Sequence, residues 1–263
     1  MFLEFEGISN ARDLGGIPAA GGGSVAVGRL IRSGHLAAMT VDDARALIDE
    51  LGVRTVIDMR TDDEAAAKPD CVGLLPGVEL VRIPIFDIAQ FGVTHEGGKL
   101  RGAWKLIRTV KKHPERILMD VYSKMVLDEE SRSGFRRFFE ALLSRGDGAV
   151  LWHCSSGKDR AGVATALLLA ALGADRDAIM ADYLASNGHM GNAGEGVRNT
   201  LAAYHLEERL ADSIRVLSSA DERFLDAAFD AIGREFGGID RYLADALGLG
   251  ETERARLCEL YLS

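Results

Sequence analysis

The sequence predicts an α/β fold with a central, mostly parallel sheet that is flanked by helices and followed by additional C-terminal helices. Two observations support this prediction. Short apolar runs rich in β-branched residues alternate with longer segments in which apolar residues recur at helical spacing, and this alternation is typical of a parallel sheet covered on both faces. Beyond Gly173, the pattern is that of several amphipathic helices.

The first half of the chain contains three predicted strands and one predicted helix. Residues 25–31 are predicted as a short strand because they follow a run of turn-forming glycines. A helix begins after the N-cap residue Thr40, carries apolar residues at helical spacing and ends at Gly52. The β-branched run 54–59 predicts a buried parallel strand, and residues 78–85 predict another.

The second half of the chain is mainly helical by pattern. Residues 102–144 are mostly helical, and residues 149–152 predict a third buried strand. Residues 161–172 predict a strongly apolar helix that Gly173 closes. The glycine-rich residues 188–196 predict a loop or hinge near the site, since ligands bind beyond the carboxyl ends of parallel strands.

The composition is that of a globular protein, and it argues against several functions. The chain has 263 residues and a formal net charge of −9, so we expect no nucleic-acid partner, because such binding requires a basic surface. The longest uncharged apolar run is shorter than the roughly 20 residues that span a bilayer, and the N-terminus lacks a signal-peptide pattern. We expect no transmembrane segment and a cytoplasmic location, with secretion without a recognisable signal left open.

The cysteines and histidines indicate neither a disulfide framework nor a metal site. The chain has three cysteines, and such an odd, sparse set suits a reducing compartment. The six histidines are scattered without metal-ligand spacing. We expect one domain over residues 1–263, with a helical C-terminal part over residues 188–263 that serves as a lid or as a dimer surface.

The stretch from His153 to Gly162 has the context of an anion-binding loop, because it lies between a predicted buried strand and a predicted apolar helix. A loop of this kind turns successive N–H groups towards an anion, and the helix N-terminus adds roughly half a positive charge. The residues expected to bind phosphate are Ser155, Ser156, Gly157, Lys158, Ala161 and Gly162.

Two residues of this stretch can act on a bound phosphate ester. Cys154 can supply the nucleophile, because a helix N-terminus and nearby cations favour its thiolate. Arg160 has a planar guanidinium that can hold two phosphate oxygens at once. The combination favours metal-independent cleavage of a phosphate ester. The alternative is that Cys154 only packs at the end of a strand, as buried cysteines usually do.

Four motifs resemble the bacterial and fungal branch of the protein tyrosine phosphatase superfamily. They run from Asn10 to Gly16, from Gly28 to Ser33, from Val56 to Arg60 with Glu64 following, and from His153 to Gly162, where the pattern is HCxxGKDRxG. The resemblance implies a tyrosine phosphatase-like fold. One departure is Ala161, where many members of this branch carry Thr or Ser.

The resemblance implies that Cys154 attacks phosphorus and forms a phosphocysteine, which water then hydrolyses. The leaving group needs a general acid. Asp159 is the preferred candidate because the loop fixes its place beside the phosphate, and Asp87 is the alternative because it follows the strand predicted over residues 78–85. The residues expected to support the site are His153, Asp58 and Arg60, the last two as a buried ion pair.

The function implied by the resemblance is that of a protein tyrosine phosphatase, with dual specificity or phosphoinositide hydrolysis as open extensions. The expected partner is therefore a phosphorylated protein or a phosphoinositide, and no cofactor is expected. The alternatives are a rhodanese-like or arsenate-reductase-like enzyme, which also uses a cysteine loop and an arginine, and a phosphate-binding module without catalytic activity.

Overall fold

The computed structural model describes residues 1–86, 113–144, 147–189 and 211–263. Within these residues the chain forms a five-stranded sheet in the order β1-β2-β5-β3-β4. The strands are β1 (Arg12–Asp13), β2 (Leu30–Ser33), β3 (Val53–Asp58), β4 (Glu79–Arg82) and β5 (Ala149–His153). Strand β1 is antiparallel to β2, and the other neighbouring strands are parallel. The predicted α/β fold with a mostly parallel sheet is confirmed.

Helices cover this sheet and fill the described C-terminal residues. They are α1 (Val41–Arg45) with the π-helical turn Ala46–Glu50, α2 (Asp62–Ala67), α3 (Pro114–Leu127), α4 (Glu129–Leu143), α5 (Arg160–Ala171), α6 (Arg176–Ala185), α7 (Ala211–Ser218), α8 (Glu222–Phe236), α9 (Ile239–Arg241) with the π-helical turn Tyr242–Ala246, and α10 (Glu251–Tyr261). The flanking helices and the additional C-terminal helices are therefore confirmed.

The structure confirms the predicted N-cap residue of α1, Thr40, and the glycine predicted to end the helix, Gly52. The Thr40 side chain accepts a hydrogen bond from the Asp43 N–H, and the Asp43 carboxylate accepts one from the Thr40 N–H, which satisfies two donors at the helix N-terminus. After the π-helical turn, Gly52 has a φ of +64°, a value that glycine adopts without steric cost.

The strands predicted over residues 25–31 and 78–85 differ from those observed. Residues 25–31 do not form one strand, because Gly28 has a φ of +73° and breaks the extended run; Val25 forms an isolated bridge with Leu262 instead. Strand β4 ends at Arg82, and Pro84 follows, which has no N–H to donate to a sheet.

Strand β5 is buried on both faces of the sheet and carries the loop of interest. Val150 and Trp152 point into the larger apolar core, which the helices α3, α4, α5 and α8 share, while Leu151 points into a smaller core under α1. This alternation is the period of two that a strand imposes. Since β5 lies between β2 and β3, the loop at its carboxyl end lies at the centre of the sheet.

Three sequence interpretations fall wholly or partly on residues that the structure does not describe, and the first is the helical segment predicted over residues 102–144, of which residues 102–112 are not described. Asp87 lies outside the described residues, and so does most of the predicted loop 188–196. Among the described residues, no helix combines the length and the apolar character that crossing a membrane requires.

Candidate active site

The loop from Cys154 to Asp159 connects the carboxyl end of β5 to α5, which begins at Arg160. The Cys154 side chain is 99% buried, with 1% of its surface exposed. The structure therefore places the predicted nucleophile and the predicted arginine at the two ends of one short loop. Ala161 and Gly162 lie in the first turn of α5.

Groups outside the loop hold the carbonyl oxygens of residues 155–158. The main-chain N–H of His35 donates to the carbonyl of residue 155 (3.2 Å), and the amide of Asn10 donates to that of residue 156 (3.0 Å). The Arg32 guanidinium donates to those of residues 157 (2.6 Å) and 158 (3.4 Å). In the described part of the chain, the N–H groups of residues 155–159 donate no hydrogen bond. A run of unpaired main-chain donors of this kind is suited to an anion.

Gly157 is required by the way the loop packs on β2. Its φ is +71°, and a Cβ atom there would lie 2.5 Å from the main-chain carbon and oxygen of Ser33. Both the backbone conformation and the contact exclude a side chain. The loop can therefore lie directly against the end of β2.

The Arg160 guanidinium is buried and held by Glu64. Its Nη2 donates to Glu64 Oε1 (2.7 Å), and its Nη1 donates to the other carboxylate oxygen. The Nε of Arg160 is buried and has no hydrogen-bond partner among the described residues. Burial alone would lower the pKa of Arg160, but the hydrogen bonds to Glu64 and the negative charges of Cys154, Glu64 and Asp159 raise it. The side chain therefore stays charged and keeps one N–H for a ligand.

Glu64 is a site residue to which the sequence reasoning gave no role. It is the third residue of α2, where its carboxylate also accepts from the N–H of Thr61, and it accepts from the Ser155 hydroxyl (2.7 Å). Burial acts to raise the pKa of Glu64, yet Arg160 and the other donors lower it to about 2. The available signal was the capping-box pattern of Thr61 and Glu64 after a buried strand.

The Asp159 carboxylate is fixed by two donors on one oxygen. Its Oδ1 accepts a hydrogen bond from the Tyr122 hydroxyl (2.7 Å) and lies 3.1 Å from the Lys158 ammonium. The Tyr122 hydroxyl is also 2.7 Å from the Tyr183 hydroxyl. Neither tyrosine was singled out in the sequence, because both lie in helices whose contact with the loop is set by tertiary packing.

Lys158 is turned from the loop towards the C-terminal helices. Its ammonium donates to the carbonyls of Leu217 (2.9 Å) and Ser219 (3.0 Å) at the end of α7, and only 2% of the residue is exposed. This side chain therefore connects the loop to residues of the predicted C-terminal part.

The predicted supporting residues form one buried network beneath the loop. Arg60 donates from Nε and Nη2 to the Asp58 carboxylate (both 2.9 Å) and from Nη2 to Asp70 (2.7 Å). The His153 ring lies 3.2 Å from Asp70 through Nε2 and 3.2 Å from the Cys154 carbonyl through Nδ1. Asp58, Asp70 and His153 could together offer ligand atoms to a cation, but Arg60 already pairs with both carboxylates and Arg82 pairs with Asp58 as well.

Two further arginines lie beneath the loop and share one carboxylate. Arg12 and Arg32 both contact the buried Asp182 (2.7 and 2.6 Å), and Arg12 also donates to the Asn10 amide oxygen (2.6 Å). Burial, followed by repulsion from Arg12, lowers the pKa of Arg32 to about 10. Burial acts to raise the pKa of Asp182, and the two arginines lower it overall.

Comparisons with known proteins agree on one family. A sequence profile described as the tyrosine phosphatase family matches residues 3–263. A candidate tyrosine-protein phosphatase of Cupriavidus necator is 32% identical, over 99% of this chain and 88% of its own length. The triple specificity protein phosphatase PtpB of Mycobacterium tuberculosis is 29% identical, over 92% of this chain and 93% of its own length. A tyrosine-protein phosphatase of Nostoc commune is 28% identical, over 91% of this chain and 76% of its own length.

Proposed function

Because the chain belongs to the tyrosine phosphatase family, and is thus a cysteine-based phosphatase, we propose how its residues divide the reaction. The Cys154 sulfur attacks phosphorus, so that an S–P bond forms while the bond to the leaving oxygen breaks. Asp159 gives its proton to that oxygen. Water then attacks phosphorus, Asp159 takes back a proton, and Cys154 leaves with phosphate released. No metal ion takes part.

One observation carries this proposal: the loop carbonyls are bound from outside, while the N–H groups of residues 155–159 have no hydrogen-bond acceptor among the residues that the structure describes. A group of fixed donors that need not reorganise stabilises charge that develops on phosphate oxygens. Arg160 adds its buried Nε–H to these donors. Glu64 holds the other end of the guanidinium and so fixes its orientation.

We place the substrate among phosphorylated proteins, with phosphotyrosine as the first candidate. Phosphoserine, phosphothreonine and phosphoinositide headgroups are extensions that a substrate panel tests. The Lys158 ammonium is held by two carbonyls and by Asp159, so a lipid phosphate would have to replace those contacts to bind it. Asp87 stays the alternative acid.

The domain organisation and location form the rest of the proposal. Phe224 of α8 and Leu257 of α10 share one apolar core with Trp152 of β5, which supports a single phosphatase domain over residues 1–263. The role of residues 188–263 as a lid or a dimer surface stays a prediction. The three cysteines are free thiols, which supports a reducing compartment such as the cytoplasm.

The test compares hydrolysis of p-nitrophenyl phosphate and of a phosphotyrosine peptide by the wild type, Cys154→Ser and Cys258→Ser, all in EDTA. Cys258 is a matched control because it is a free thiol in α10, outside the loop. We expect Cys154→Ser to lose at least about 10³-fold in kcat, as removal of a nucleophile does, while Cys258→Ser keeps its activity. Activity that survives in Cys154→Ser, or that EDTA abolishes in the wild type, would contradict the mechanism. Thiosulfate turnover by the wild type would instead support the rhodanese-like alternative.

A further inference from the structure

Two tyrosine hydroxyls and the Asp159 carboxylate form a buried hydrogen-bonded chain beside the loop. Tyr122 of α3 and Tyr183 of α6 are at most 1% exposed, and their hydroxyls are 2.7 Å apart. Tyr122 is also 2.7 Å from Asp159 Oδ1. The proposed reaction uses Asp159 but gives no role to either tyrosine.

The chemistry of these three groups fixes which of them donates each hydrogen bond. An ionised carboxylate can only accept hydrogen bonds, so the single Tyr122 proton points to Asp159. The Tyr122 oxygen must then accept from Tyr183, whose own oxygen lies beside the main chain of Asp221 at the start of α8. Burial, and then the charge of Asp159, raise the pKa of Tyr122, and burial raises that of Tyr183, so both hydroxyls keep their protons.

We propose that Tyr122 is the positioning residue for the general acid Asp159, and that Tyr183 orients Tyr122 for this role. Two donors, the Tyr122 hydroxyl and the Lys158 ammonium, hold Oδ1. In the described part of the chain no hydrogen bond reaches Oδ2. This second oxygen is therefore the one that carries the proton to the leaving group.

The same hydrogen bond is one of several polar contacts around the Asp159 carboxylate. The Tyr122 hydroxyl stabilises the carboxylate form, because a hydrogen bond to an ionised acceptor is stronger than one to a neutral acceptor. The other charged groups that face this cluster are Lys158 and Arg160 from the loop and Arg32 from β2. All three also favour the carboxylate, and all remain in a Tyr122 variant.

This inference rests on the proposed function, and the pH profile of kcat/KM tests it. The rate should fall at high pH as Asp159 loses its proton. In Tyr122→Phe the carboxylate loses a hydrogen-bond donor, so we expect it to bind its proton about tenfold more tightly. The alkaline limb of the profile, which is the fall of kcat/KM at high pH, should therefore move up by about one pH unit. Tyr183→Phe should move the limb in the same direction by less, since it acts through Tyr122.

Tyr242→Phe is the matched control for a lost buried hydroxyl. The Tyr242 hydroxyl donates to the Val126 carbonyl in the last turn of α3 and does not contact Asp159, so its loss should lower stability and leave the limb in place. The Tyr122→Phe rate should fall more with an alkyl phosphate than with p-nitrophenyl phosphate, because a basic leaving group needs the acid more. If Tyr122→Phe does not fold, the shift in Tyr183→Phe decides.

The variant Asp159→Asn distinguishes a failure of the tyrosine roles from a failure of the proposed function on which they rest. Asp159→Asn should abolish the alkaline limb. If the limb persists in Asp159→Asn, the assignment of the acid fails, and the inference fails with it. If the limb disappears there but stays unmoved in both Tyr122→Phe and Tyr183→Phe, only the role of the tyrosines is overturned.

Discussion

Replacing Glu64 by Gln should weaken both the fold and the reaction, because Glu64 joins the phosphate-binding loop to α2. Its carboxylate accepts two hydrogen bonds from Arg160 and one from Ser155. Gln keeps the shape of the side chain and can still accept from the N–H of Thr61, so that the capping interaction remains. The substitution therefore removes the negative charge beside Arg160 and replaces the oxygen that accepts from Arg160 Nη2 and Ser155 by an N–H₂ group.

The size of the effect follows from the pKa of Glu64. That pKa is about 2 in the folded protein, against an ordinary value of 4.5. At 1.36 kcal/mol per pKa unit, the difference corresponds to about 3 kcal/mol of stability. Since 32% of the side chain is exposed, solvent screening reduces the expected loss to about 2 kcal/mol at pH 7.

The pH dependence of this stability has a definite sign. A carboxylate whose folded-state pKa is lowered contributes fully above its unfolded value of 4.5 and loses the contribution as pH falls towards 2. Urea unfolding should therefore separate wild type from Glu64→Gln by about 2 kcal/mol at pH 7, and the gap should narrow below pH 4.5. We also expect kcat to fall roughly 10–100-fold through misplacement of Arg160.

Asp63→Asn is the control for this experiment, because Asp63 lies beside Glu64 in the first turn of α2 but is exposed. It should change neither stability nor kcat measurably. Equal stability of wild type and Glu64→Gln at pH 7, together with an unchanged kcat, would refute the reasoning. A gap that stays constant from pH 7 to pH 3 would show that the loss is one of packing and not of charge.

Two further substitutions test the packing of the loop. Gly157→Ala places a Cβ against the main chain of β2 at a φ of +71°. We expect it to lower the free energy of unfolding by about 2 kcal/mol or more and to reduce kcat for p-nitrophenyl phosphate to background. The control Gly73→Ala, whose Cβ would meet nothing within 4 Å, should change neither quantity. Asp182→Asn leaves two buried arginines without their shared carboxylate, and urea unfolding should show a loss of about 3–5 kcal/mol at pH 7, whereas the exposed Asp177→Asn in the same helix should not.

The sequence predicts those features of the fold that depend on interactions between residues close together in the chain. The capping pattern at Thr40, the period-two burial of β5 and the strand–loop–helix context of Cys154 all depend on neighbours within one or two turns. For that reason the parallel sheet and the placing of Cys154 and Arg160 at one loop were predictable. The motif also predicts that Asp159 lies in this loop, directly before Arg160.

The partners of those residues could not be predicted in the same way. Arg160 contacts Glu64, which is 96 positions away, and Asp159 contacts Tyr122, which is 37 positions away. Such pairs form only after the sheet order has brought β3 beside β5 and the helices have packed on one face. From a single sequence, a tyrosine in an amphipathic helix is predicted to pack in the apolar core. Tyr122 does pack there, and its hydroxyl contacts Asp159 as well.

The charges around the loop explain how a protein with a net charge of −9 can hold a phosphate. The charge of Arg160 is offset by Glu64, and the Lys158 ammonium lies 3.1 Å from the Asp159 carboxyl. Beneath the loop, however, two arginines share the single Asp182.

Arg12 and Arg32, in the N-terminal motifs, therefore contribute one net positive charge beneath the loop. The negative charge of Cys154 is among the influences that raise the pKa of Arg32, so this guanidinium acts on the proposed nucleophile while its Nη2 holds the carbonyl of Gly157. By holding this carbonyl, Arg32 fixes the orientation of the loop main chain. Residues of those N-terminal motifs therefore contact the loop that we propose to bind phosphate, although Arg32 precedes Gly157 by 125 positions.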